Sequence, residues 1–192
     1  DGSVIAEAVA ISQVAETLPG LGSGGSIQVA SVANLTVPSP TLGKEVLESL
    51  ATARMRLTKN FVPNADRYFY CTPVVFASIL QALLPSTANY GAPIADPVTG
   101  TIKGVHGFEI IEVPHFENGG ADTKHAFPAG LVGKVAGLVM HRSAVGTVKL
   151  KDLALERARR PEFQADQIIA KYAMGHGGLR PEAATLILSK QP

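Results

Sequence analysis

Several groups of residues in this chain have the types from which chemistry is built, and their spacing decides what each can do. Glu112, His115 and Glu117, with His125 nearby, offer the imidazole and carboxylate donors that suit several cations. Pro114 interrupts the segment and no His-Glu-x-x-His pairing is present, so a strand end entering a polar loop is the plainer reading. Gly20-Leu-Gly22-Ser-Gly-Gly25 has the Gly-x-Gly-x-x-Gly spacing of a dinucleotide loop. That chemistry needs a strand before the loop and a helix after it, whose N-terminus holds the pyrophosphate. Here a helical pattern precedes and a strand-like run follows, which favours a flexible loop. Cys71 ends the run Tyr68-Phe69-Tyr70 with no base in view, as a buried, inert thiol would. Ser143 lacks the Gly-x-Ser-x-Gly elbow of a hydrolase nucleophile. His141 and His176 lie in strand-like contexts and read as hydrogen-bonded structural histidines.

The basic residues concentrate at Lys149, Lys151, Arg157, Arg159 and Arg160, offset by Asp152 and Glu156. A nucleic-acid face shows a broader patch with stacking aromatics, and only Phe163 and Tyr172 are near. A solvated or subunit-facing strip is therefore expected. Gly175-His176-Gly177-Gly178, beside Arg180-Pro181, reads as a tight reversal between two strands. A phosphate cradle there would want a helix next, and none is signalled. No catalytic residue, cofactor or metal ligand is assigned.

The elements that must position these groups follow from length and pattern. The 192 residues suffice for one or two modest domains, and 46% hydrophobic with 17% charged content suits a folded chain. A net charge of +1 implies no bulk attraction to nucleic acid or an anionic membrane. One cysteine excludes an intrachain disulfide framework. No apolar run reaches the roughly 20 residues a membrane helix needs, so no membrane partner is expected.

Residues 1–18 carry apolar side chains at helical spacing and stop at Pro19-Gly20. A Gly/Ser/Pro-rich crossing follows to Pro40, with one strand-like run from Ile27. Residues 41–59 give the strongest helix signal, through Leu42, Val46, Leu47, Leu50, Ala53 and Leu57, with Thr41 as the expected cap. Residues 66–71 predict a strand and 73–84 a second helix opened by Pro73. A turn at 96–100, a strand at 108–113 and a polar loop at 117–130 come next. Strands near 147–156 and 164–173 are expected to be half-buried, since Val148, Leu150, Leu153 and Leu155 alternate with charges. The class is α+β.

Longer runs carry a resemblance. They are Met140-His141-Arg142-Ser143-Ala144-Val145-Gly146, Lys171-Tyr172-Ala173-Met174-Gly175-His176-Gly177-Gly178 and Leu179-Arg180-Pro181-Glu182-Ala183-Ala184. Upstream stand Leu57-Thr58-Lys59-Asn60, Pro63, Ala65-Asp66-Arg67, Tyr70-Cys71, Ala88-Asn89-Tyr90, Gly107-Phe108-Glu109 and Glu112-Val113-Pro114-His115. In this order they resemble the C-terminal region of the major capsid proteins of T-seven-type short-tailed phages, the podophage or autographivirus group. The resemblance implies the Hong Kong 97 type capsid fold, with a peripheral domain on a long spine helix and an axial domain. On it, residues 1–40 would hold the end of the spine helix and a linker, and 41–146 the axial domain. Residues 147–175 would be peripheral-domain strands, and 176–192 the C-terminal return.

The function implied is that of a capsid subunit, forming pentamers and hexamers of an icosahedral shell around double-stranded DNA that it does not read by sequence. Scaffolding protein and portal would be partners during assembly in the host cytoplasm, and the virion the final location. Lys149, Lys151, Arg157, Arg159 and Arg160 would be candidate subunit-interface charges. Such proteins carry an N-terminal arm, an extended loop and the first part of the spine helix before the point where Asp1 stands. The chain is thus expected to be a piece that self-associates weakly. The alternatives are a small α/β nucleotide-binding enzyme using Gly20–Gly25, and a nucleic-acid-binding module.

Overall fold

The computed structural model describes residues 2–12, 25–28, 35, 37–87, 95–96, 99–102, 104–116, 131 and 133–189. Helix α1 spans Gly2–Ser12, with Ile5, Ala8, Val9 and Ile11 buried at the spacing of one helical face. Residues 13–18 of the expected helix lie outside the described residues.

Helix α2, Pro40–Lys59, buries Leu42, Val46, Leu50, Ala53 and Leu57. Its cap is Ser39 rather than Thr41: the Ser39 hydroxyl accepts from the Thr41 N–H at 3.3 Å. Pro40, which has no N–H to satisfy, takes the first helical position. Gly43 weakens the first turn intrinsically, yet its packing explains it. A Cβ there would lie 2.1 Å from the Ser78 carbonyl oxygen of helix α3, Pro73–Thr87. The two helices therefore approach backbone to backbone. The Ser39 N–H donates to the Ser78 hydroxyl at 3.1 Å across the same crossing.

Five strands make the central sheet: β1 (Ser26–Gln28), β2 (Arg67–Cys71), β5 (Glu109–Glu112), β6 (Val135–His141) and β9 (Ala184–Leu188). A separate pair, β3 (Ala95–Asp96) and β4 (Thr101–Ile102), brackets the expected turn, and Gly100 has φ 65°. The sheet order is β1-β9-β6-β2-β5, with β6 antiparallel to both neighbours and the outer pairings parallel. All seven residues of β6 are buried, so this strand is covered on both faces. Phe69, Leu138, Leu186 and Ile187 join α1 and α2 in one continuous core.

The remaining strands, β7 (Val145–Arg160) and β8 (Ala165–Gly178), pair only with each other among the described residues. Two expectations are corrected here. The segments 147–156 and 164–173 are strands but not half-buried ones: Val148, Leu150, Leu153, Leu155 and Ile168 are all exposed. Alternation marks a strand with two unlike faces and says nothing about whether this chain supplies the cover. Nor do Gly175, Gly177 and Gly178 make a reversal. They sit inside β8 opposite Val148, Gly146 and Val145, and the chain instead turns at Pro161–Phe163 and Gln164, which has φ 49°. Proline at the start of that short turn fixes the φ it needs.

Candidate interaction surface

The β7–β8 arm carries all five candidate interface charges, Lys149, Lys151, Arg157, Arg159 and Arg160. A 16-residue strand rising about 3.3 Å per residue makes it about 50 Å long. Two register shifts, between Lys149 and Lys151 and between Lys151 and Ala154, bend the ladder near its middle. Beyond them the pairing is regular, and opposed residues share a face. Leu155, Arg157 and Arg159 stand opposite Ala170, Ile168 and Asp166; Glu156, Ala158 and Arg160 stand opposite Ile169, Gln167 and Ala165. The strand period thus splits the basic strip, with Arg157 and Arg159 on one face and Arg160 on the other.

Arg157 forms an ion pair with Asp166, and Lys171 with Glu156 at 2.6 Å, each diagonally across the two strands. All four side chains are well exposed, so each pair contributes about 0–1 kcal/mol. They help fix register more than they stabilise. Apolar side chains occupy both faces between the charges, Leu150 at 80% exposure and Phe163 at the tip at 71%. The tip carries a shallow, open depression lined by Arg157, Arg159, Gln164, Ala165 and Asp166. It lacks the enclosing apolar walls of a small-molecule site. What the arm offers is a two-sided, part-apolar and part-charged surface with long unpaired strand edges, the geometry by which chains add to one another.

The arm is fixed at its root. The Ala144 carbonyl accepts from the Leu179 N–H at 2.9 Å and the Arg180 N–H at 3.3 Å, tying both legs together. Helix α1 packs over the base of β8, where the Gly178 N–H donates to Glu7 Oε1 at 3.0 Å. A Cβ at Gly178 would stand 2.0 Å from Ile11 Cγ2, so the close approach requires glycine.

The other candidates are scattered. Cys71 is fully buried in the central sheet, and burial pushes its thiol far up, as expected for an inert group. His176 Nδ1 and the Thr147 hydroxyl lie 2.9 Å apart across the two strands at the base of the arm. His141, buried at the end of β6, takes the Ser143 N–H on Nδ1 at 3.1 Å, with the Ser143 hydroxyl 2.8 Å away. Both are hydrogen-bonded structural histidines, as read from the sequence. Capping by His141 was not anticipated, though an acceptor side chain just before a short turn is a recognisable signal. Glu112 is an exposed strand end; Glu117, His125 and the His115 side chain lie outside the described residues. So do Gly20–Gly24, between α1 before them and β1 after, which keeps the helix-then-strand order opposite to a dinucleotide loop. Among the described residues, no group of three or more His, Cys, Asp or Glu side chains could hold an ion.

The family described as "Gp10A-like: Major capsid protein" matches residues 1–188. The major capsid protein of Escherichia phage T7 is 52% identical over 210 residues, covering 99% of this chain and 61% of that protein. The minor capsid protein of the same phage is 52% identical over 208 residues, covering 98% of this chain and 52% of its own length. The chain thus spans about three-fifths or less of these relatives. Among solved structures, the capsid of Cyanophage P-SCSP1u superposes with a TM-score of 0.76 at 24% identity, over 99% of this chain and 61% of the other.

Proposed function

The chain belongs to the Gp10A-like major capsid protein family, and from that premise we propose that it acts as a structural subunit of a tailed-phage icosahedral shell. Its α+β fold is of the Hong Kong 97 capsid type. In this reading the subunits gather into pentamers and hexamers, enclose double-stranded DNA without reading its sequence, and assemble in the host cytoplasm with scaffolding protein and portal. The work is association rather than catalysis, so the energetics lie in contacts repeated through a closed lattice.

The observation that carries the reading is the arm. Its apolar residues find no cover within the described chain, and exposed apolar surface of this extent marks an interaction site. In this reading residues 41–146, which supply most of the helix-flanked sheet, would form the axial domain. Helix α1 and the arm would belong to the peripheral domain. Lys149, Lys151, Arg159 and Arg160 are exposed on the arm and would meet carboxylates on neighbouring copies, setting partner and register more than affinity. Arg157, already paired with Asp166, would contribute by holding the tip in register.

The test is electron microscopy with light scattering on a chain of the relatives' full length, co-expressed with its scaffolding partner. Closed shells of uniform size support the reading. Small soluble species only, where a control capsid assembles, would sink it. Charge reversal at Arg159 and Arg160 should reduce shell yield and alter its salt sensitivity; unchanged assembly would remove those charges from the interface.

A further inference from the structure

His141 stands where the body of the molecule becomes the arm. It ends β6, opposite Arg67 of β2, and the turn Arg142–Ala144 follows directly and leads into β7. The turn is closed by the imidazole: Nδ1 accepts the Ser143 N–H at 3.1 Å, and the Ser143 hydroxyl sits 2.8 Å from the same atom. An accepting Nδ1 is unprotonated, so the ring must be neutral with its proton on Nε2. The turn presents Ala144, fully buried, whose carbonyl holds Leu179 and Arg180 on the returning leg. One neutral imidazole therefore shapes the turn through which both legs are anchored.

We infer that His141 is a pH-sensitive latch at the root of the arm, holding it in one pose while neutral and releasing that pose on protonation. A proton on Nδ1 turns the acceptor into a donor, facing the Ser143 N–H donor to donor and opening the turn. The surroundings favour the neutral form. Burial lowers the affinity of the ring for a proton, and Arg67 of β2 and Arg180 add to this. The charge of Asp66 and the polar backbone of Ala65 oppose them. Asp66 also lies 3.9 Å from Arg142, and Arg180 is bonded to Glu182 at 2.7 Å, so an added positive charge enters a cluster whose carboxylates are already engaged. Length multiplies the effect: about 5° of rotation at the root of an arm of about 50 Å moves its tip by about 4 Å.

The inference stands independently of the capsid reading and is tested on the chain as it is. Spin labels at Glu48→Cys on α2 and Glu162→Cys at the arm tip report the body-to-tip distance, and the buried Cys71 does not compete for label. Between about pH 8 and about pH 5 the wild-type distance distribution should shift and broaden, in step with the His141 ring resonance followed by NMR. His141→Asn, whose Oδ1 can accept the same N–H but does not titrate, should keep the alkaline distribution throughout. His141→Ala should give the broadened distribution at every pH; should it fail to fold, the wild type and His141→Asn decide between themselves. A wild-type distribution that does not move while circular dichroism shows a folded chain overturns the latch, and so does a His141→Asn chain that moves like the wild type.

Discussion

Two leucines a hundred positions apart show how differently this molecule uses the same side chain. Leu50 on α2 is fully buried in the body, whereas Leu150 on β7 stands in solvent. The body is self-sufficient: its helices and sheet share one core, and β6 is covered on both faces. The arm is two strands with apolar residues on both sides and a root at one end, and a lone two-stranded ribbon is marginal in water. The difference teaches that hydrophobic content and stability separate. The body's apolar residues hold this chain together; the arm's stay uncovered among the described residues.

Substitutions can break or sharpen that contrast. Leu50→Ala should cost about 2–5 kcal/mol, since it opens a cavity in a packed core, and should lower the urea midpoint with little change in slope. Gly178→Ala, which drives a methyl into Ile11 at the junction of body and arm, should cost about 1–3 kcal/mol, with partial recovery when Ile11→Ala is added. A chemical-denaturation double-mutant cycle checks it, and strict additivity would mean the clash is relieved elsewhere. Leu150→Ala should change the stability of the isolated chain by no more than about 0.5 kcal/mol. The same substitution should lower the yield of shells from a full-length subunit, and a loss of stability like that of Leu50→Ala would erase the distinction between the regions.

A pH series separates the regions again. Because the native pKa of His141 is lowered, the folded chain binds fewer protons there than the unfolded chain. Its contribution is complete above the unfolded value of about 6.5 and is lost as pH falls from there through the lowered native value. Urea midpoints should therefore decline across that window in the wild type, and less in His141→Asn.

How legible each region was follows from where its partners lie. Helix α2 could be read because its burying partners sit on the same chain, so a period of Leu42, Val46, Leu50, Ala53 and Leu57 has one meaning. The cap lies two residues before the one the pattern suggests, since Ser39 precedes a proline that begins the helix. Gly43 reads as a flaw until α3 is seen crossing it. Strand order was not legible at all, because β1 and β9 meet across most of the chain. In the arm, alternation predicted strands correctly and burial wrongly. The basic residues were found, but not that the pleat divides them between two faces or that Asp166 engages Arg157, since both depend on a register set by the turn at Pro161–Gln164. The cluster Gly175–Gly178 looked like a turn because glycine density signals close approach as readily as reversal. At Gly178 it is the approach of α1.

The parallel pairing of β1 with β9 has a consequence for synthesis. Among the described residues, strand β1 joins the sheet through β9, which comes from residues 184–188, far downstream of it. While the ribosome still holds those residues, β1 has no neighbour and one edge of β6 is open. The arm, whose strands are joined by a four-residue turn, needs no such wait, and local hairpins form far faster than pairings that close long loops. The chain thus has a built-in order of completion in which the exposed arm can form before the body closes. A product lacking β9 would keep the residues of its arm and lose the seat of β1, so its exposed surface would stand beside an open sheet edge.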